Sequence, residues 1–408
     1  MLCFQKILFS LLLVAFSFGL HAQTANSYYE SGVLKYKNKD IAGAILEFTK
    51  CVDKNEFFYE AYLERGRCYI DQKKYDPALK DLNKAISVDA KYYDAYMLRA
   101  NLYLFLNQDK NALADLAKAI EIKPADERAF IVRASYYQKT NDNKMAIKDL
   151  NQAALLNDKN PETYYNRGLI GIQMKKENEA LTDFSKAISL KPDYTDAFLQ
   201  RLQIYEQREN YKGIIDDVTK LIGLKTENAV LYKKRATAYF LTSQYSEAIN
   251  DYNTLTLKYA SKDAEVFYYR GICFEKTGKT AESLKDFTKV SQLQPRNDSV
   301  CIRLAEIYIM LKKPSSALLN FNKAISINPS NGDAFAGRAK LYMEQNKYQL
   351  AVTDLDAAVK TKAEGEYYFL RAECKDRLND RKGACNDLES AISLGYKKAQ
   401  ESYGKICK

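Results

Sequence analysis

Apolar, small and charged residues return in a fixed order along nearly the whole chain. Tyr62, Arg65 and Gly66 are followed 34 residues later by Tyr96, Arg99 and Ala100. The triplet recurs at Phe130, Arg133 and Ala134, at Tyr164, Arg167 and Gly168, and at Tyr232, Arg235 and Ala236. After one inserted residue it continues at Phe267, Arg270 and Gly271, then at Phe335, Arg338 and Ala339, and at Tyr368, Arg371 and Ala372. Twelve residues beyond the small residue stands an alanine: Ala78, Ala112, Ala146, Ala180, Ala248, Ala317, Ala351 and Ala384. Positions three and four apart share one face of a helix, so each period predicts two helices that pack on each other. The prolines agree. Pro124, Pro192, Pro295 and Pro329 fall between periods, Pro161 opens one, and Pro77 and Pro314 lie near the start of a second helix. None falls mid-helix, where it would cost about 3 kcal/mol.

A repeat of this length should be sought before any other feature. The pattern resembles the tetratricopeptide repeat, whose slots are an aromatic at 4, small at 8, aromatic at 11, small at 20, aromatic or Leu at 24, Ala at 27 and Pro at 32. Gly168, Ala180, Phe184, Ala187 and Pro192 show the set well. Eleven repeats start at Ala25, Tyr59, Tyr93, Glu127, Pro161, Thr195, Ala229, Ala264, Asp298, Gly332 and Gly365. The usual Trp of slot 4 is Tyr, Phe or Cys throughout. The resemblance implies an all-α fold: a right-handed superhelix of helix pairs over 25–396, closed by a cap helix over 397–408. Each pair has an apolar side it cannot bury alone, so the pairs must stack and need polar ends.

Slot 7 is Arg in nine repeats and slot 23 is Asp in nine. Arg65 and Asp81, Arg99 and Asp115, Arg133 and Asp149, and Arg167 and Asp183 are examples. Both letters change together, to Ser31 and Glu47 in the first repeat and to Leu304 and Asn320 in the ninth. That favours an ion pair within each repeat; the other reading is a row of anion-binding arginines. In the family the inner wall is lined by the first helix of each pair. The resemblance therefore points to Leu63, Ile70, Met97, Leu104, Phe105, Ile131, Tyr165, Ile172, Tyr268 and Ile302 as a groove for a protein or peptide. The alternative is that these side chains simply pack on neighbouring helices. Slot 2 adds acids that would suit a basic or neutral ligand, although acids there also favour the helix dipole. The family's chaperone-tail clamp needs Lys at slot 5 and Asn at slot 9; here these are Lys233 and Asn101, in different repeats, so that clamp is absent. In the sixth repeat the small slots hold Leu202, Ile214 and Leu221, which predicts a change of curvature over 195–263.

Composition removes much enzyme chemistry. Of 408 residues one is His, and it lies at position 21. Residues 1–22 read as a secretory signal: a basic start, the apolar run Ile7–Leu20 and a small Ala22 before Gln23. Without that segment no imidazole remains for a catalytic triad or a metal site. No cofactor and no metal are called for. The net charge of +10 arises from 62 basic and 52 acidic residues mixed along the chain. Such mixing describes a solvated helical surface better than a nucleic-acid groove. Seven cysteines follow the signal, and Cys385 and Cys407 fall where the last repeat meets the cap, as a disulfide would require. The sequence therefore reads as an exported, non-enzymatic scaffold of a Gram-negative envelope or periplasm, or a secreted one. It has no nucleic-acid partner and no stable membrane insertion after signal cleavage. The alternative is an assembly subunit of an envelope complex that uses its convex face.

Overall fold

The computed structural model describes residues 24–226 and 228–408; the expected signal lies outside them. The described residues are helical, with no strand. In order come α1 (Ala25–Lys37), α2 (Ile41–Lys54), α3 (Tyr59–Asp71), α4 (Tyr75–Val88), α5 (Tyr93–Phe105) and α6 (Asp109–Ile122). Next are α7 (Arg128–Lys139), α8 (Asn143–Leu156), α9 (Pro161–Gln173), α10 (Glu177–Leu190), α11 (Thr195–Gln207) and α12 (Tyr211–Gly223). Then follow α13 (Ala229–Leu241), α14 (Tyr245–Leu257), α15 (Ala264–Lys276), α16 (Thr280–Leu293), α17 (Asp298–Met310) and α18 (Pro314–Ile327). The chain ends with α19 (Gly332–Glu344), α20 (Tyr348–Thr361), α21 (Gly365–Arg377), α22 (Arg381–Ser393) and α23 (Lys398–Ile406). Odd-numbered helices open a repeat (A helices) and even-numbered ones close it (B helices); α23 stands outside the pairs. The chain divides into two compact units, one ending at Ile204 and the other beginning at Tyr205.

The turn between A and B helices has one design. In α3 the N–H of Lys73 donates to the Ile70 carbonyl and that of Lys74 to the Tyr69 carbonyl, both at 2.8 Å. This closes the orphan carbonyls of the helix end and requires a left-handed residue between. Lys73 supplies it with φ of 59°, and Asn107, Lys175 and Ser243 do the same in their repeats. Only the eighth repeat uses glycine, Gly278 at φ 75°. Gly278-Lys279-Thr280 is thus a helix-ending turn rather than a phosphate loop.

Helices A and B meet through paired volumes. Where slot 8 is glycine and slot 24 phenylalanine, the ring fills the space of the missing methyl. A Cβ on Gly32 would lie 2.6 Å from Phe48, and one on Gly168 would lie 2.7 Å from Phe184. Where slot 8 is alanine, slot 24 is often leucine, as in Ala100 with Leu116 and Ala134 with Leu150, all fully buried. The bulky Leu202, Ile214 and Leu221 are buried as well.

The repeats are also pinned to one another by arginine. Arg65 donates from Nε and Nη2 to Asp81 at 2.7 and 2.8 Å, and from Nη1 to Thr49 of the preceding repeat at 3.1 Å. Arg99 holds Asp115 in the same way and reaches back to Asn83 at 2.6 Å. Arg167 reaches Asn151 at 3.0 Å, Arg235 reaches Thr219 at 3.0 Å and Arg338 reaches Asn322 at 2.6 Å. Arg133 binds Asp149, but the earlier repeat carries Ala117 at that place and the third bond is missing. The carboxylates are buried, so the fork geometry of the guanidinium satisfies both their oxygens. In the first repeat, where slot 7 is Ser31, Glu47 pairs instead with Lys35 and Lys50, each at 3.1 Å. Nothing in the structure explains the loss of the pair in the ninth repeat.

Candidate interaction surfaces

In the first unit the proposed groove residues do not form one continuous stripe. Leu63 and Ile131 are buried, at 3% and 7% exposure, and belong to the core. Ile70 and Ile172 are partly buried against the cores of their own repeats, and Leu104 is half-buried. Tyr165 stacks 5.0 Å from Tyr194 and 5.9 Å from Phe184. Phe105 is 65% exposed, with its ring 5.2 Å from Tyr75 at the A/B turn. Met97 and Ile131 share a cleft of about 330 Å³ with Arg67, Asp94, Asn101 and Arg128. Arg128 is held there by Asp126 at 2.7 Å, a bond that keeps the Asp126 carboxyl below its ordinary range.

The second unit holds two larger recesses on its A helices. One, of about 580 Å³, surrounds α13 and is lined by Ile214, Val230, Ala238, Leu255, Tyr259 and Val266. Its charged rim is internally matched. Lys233 lies 2.7 Å from Asp263 and 2.9 Å from Glu265, and Lys234 pairs with Glu206. The hydrogen bonds it donates to Asp263 and Glu265 hold the Lys233 ammonium above its usual range. The sequence singled out Ile214 for its bulk and Lys233 as a slot-5 lysine, but proposed neither as a binding residue. The signals were indirect: bulk in the sixth repeat and one extra residue near Ser261.

The other recess, of about 600 Å³, contains the predicted Tyr268 and Ile302 together with Ile309 and Ala336. Four carboxylates, Glu306, Asp333, Glu344 and Glu366, face two cations, Arg303 and Lys340. Arg303 is 3.3 Å from Glu306, and Lys340 is 2.8 Å from Glu366. Asp333 accepts a hydrogen bond from the Tyr367 hydroxyl. Tyr268 also leans on Phe287, centroids 5.6 Å apart, so its ring is only partly free.

At the end of the chain Cys385 and Cys407 are joined, with Cα atoms 5.7 Å apart. The bond ties α23 to α22, where Tyr396, Tyr403 and Ile406 cover Phe369 and Leu388. The remaining described cysteines, Cys51, Cys68, Cys273, Cys301 and Cys374, are buried and free. Burial pushes the thiols of Cys68, Cys273 and Cys374 up to about 12, so they stay protonated. Among the described residues no cluster of His, Cys, Asp or Glu could hold a metal, and no helix is long and apolar enough to cross a membrane.

Residues 59–92, 93–126, 127–160, 161–194 and 298–331 match the family model for the tetratricopeptide repeat. The matched repeats include four consecutive ones in the first unit and the ninth, one of the two that lack the Arg–Asp pair. No curated protein matches the sequence. Among solved structures, YrrB, described as a tetratricopeptide repeat protein with an unusual peptide-binding site, is 22% identical, over 45% of this chain and 95% of its own, with a TM-score of 0.38. Yeast Tom70 is 16% identical over 94% of this chain and 95% of its own, with a TM-score of 0.39. A tetratricopeptide repeat protein from Parabacteroides merdae is 22% identical over 69% of this chain and 99% of its own, with a TM-score of 0.34.

Proposed function

We propose that this protein is an exported, non-enzymatic scaffold that holds a protein or peptide partner against its A helices. The observation that carries the reading is the recess around α13. It joins an apolar floor to a rim whose charges are already matched, and Val230 stands 60% exposed within it. Pockets of a few hundred Å³ with an apolar lining and few polar groups are the usual form of a binding site. Export rests on the apolar run Ile7–Leu20 and the small Ala22; N-terminal sequencing of the mature protein should begin at Gln23.

A second reading has its own support. Leu155 and Leu257 are 81% and 83% exposed on B helices, and Leu257 lines neither recess of its unit. Exposed leucines on an outer surface suit a subunit that docks through its convex side. Affinity capture from envelope extract separates the two. Under the scaffold reading Val230→Glu and Ile302→Glu lose the captured partner, while Leu155→Glu and Leu257→Glu keep it. The reverse pattern favours the assembly subunit, and retention by all four variants removes both readings.

A further inference from the structure

We infer that the A-helix face of the second unit takes one extended segment carrying an apolar side chain and, about nine residues away, a lysine or arginine. The inference rests on the scaffold reading and adds the chemistry of the partner. It comes from the different charge balance of the two recesses.

Around α13 every charge of the rim among the described residues has an opposite partner in place: Lys233 with Asp263 and Glu265, and Lys234 with Glu206. A charged ligand group entering there would lose water and find no free counter-charge. An uncharged apolar side chain loses nothing and covers Val230, Ile214 and Leu255. The recess over α17 and α19 differs. Its two cations are matched by Glu306 and Glu366, which leaves Asp333 and Glu344 with no cation within salt-bridge distance. The local excess of two negative charges opposes a chain of net charge +10, so it is a feature of this place rather than of the whole surface. A floor of Tyr268, Ile302 and Ile309 beside those acids suits the aliphatic stem and charged head of a basic side chain.

Both recesses touch α15. Val266 lines the first and Tyr268 the second. Neighbouring A helices lie about 10 Å apart, so the three steps from α13 to Asp333 and Glu344 on α19 span about 30 Å. An extended chain rises about 3.3 Å per residue and covers that span in about nine residues.

Panning a display library of random twelve-residue peptides against the full chain tests this. Wild type should enrich an apolar residue and a Lys or Arg at that spacing. Asp333→Lys with Glu344→Lys should weaken the enriched peptides about tenfold or more and shift selection toward Asp or Glu. Val230→Glu should erase the apolar preference. Circular dichroism checks that each variant folds. If the double variant does not, Glu344→Gln alone should weaken binding about threefold at low salt, with the difference vanishing at high salt. Enriched peptides without a basic residue, or a wild-type affinity in folded charge variants, overturn this inference and leave the scaffold reading standing. No enrichment at all overturns both.

Discussion

Gly168 and Gly66 hold the same slot in their repeats, yet an added methyl meets different neighbours. At Gly168 it would lie 2.7 Å from the fully buried Phe184 ring, which has nowhere to move. Gly168→Ala should destabilise by about 1–3 kcal/mol. At Gly66 the nearest atom is Leu82 Cγ at 3.4 Å, an ordinary contact. Gly66→Ala should stabilise by about 0.5–1 kcal/mol through helix propensity. Urea midpoints that move in the same direction for both would refute the paired-volume account. The arginines offer a second test. Arg99→Met strands the buried Asp115 carboxylate and should cost about 3–5 kcal/mol. Adding Asp115→Leu should recover most of that loss, because the charge left without a partner is then gone. Failure of the second substitution to rescue the first would show that the arginine acts mainly through its bond to Asn83.

At the level of elements, the disulfide ties α23 onto the last pair across 22 residues. Closing a loop of that length is worth about 3 kcal/mol when the chain-entropy account holds. Contacts in a stack reach only the neighbouring repeat, so the loss on reduction should stay local. Hydrogen exchange of Cys407→Ser should speed up in α22 and α23 and remain unchanged in α1 to α10; a uniform rise along the chain would contradict this. The local character of each contact is also why so much of the fold was legible. Two helix faces every 34 residues are visible because each is written within a short window. The intra-repeat pairing of Arg and Asp was visible because both letters change together. The third bond of the arginine was not. Its acceptor is Thr49, Asn83, Asn151, Ser185 or Asp356 in different repeats, so no single letter marks the slot.

For the whole molecule, acid should act partly through the loops between repeats. The hydrogen bond from Lys233 lowers the Asp263 carboxyl below its ordinary value, so the unfolded chain binds this proton more readily than the folded one. Its contribution is present above the ordinary carboxylate range, near pH 4, and is lost as the pH falls through the lower folded value. Asp263→Asn should therefore lower the thermal midpoint near pH 7, and the gap to wild type should narrow as the pH falls below the ordinary carboxylate range. A gap that stays constant would remove Asp263 from the acid response. The same substitution leaves Lys233 at the α13 recess with Glu265 as its one carboxylate partner, which allows stability and ligand preference to be read from one variant.

Read without coordinates, the chain declares its period, its helix pairs, its arginine and aspartate positions and its closing cysteines. All of these depend on residues near in sequence or one period apart. Depth is another matter. Leu63, Met97 and Ile131 share slot 5, but two are buried and Met97 lines a cleft, because burial there depends on what the adjoining repeats place alongside. The recess around α13 needs side chains from five helices and the loop that contains the extra residue. No local pattern encodes such a meeting; it exists only once the pairs have stacked.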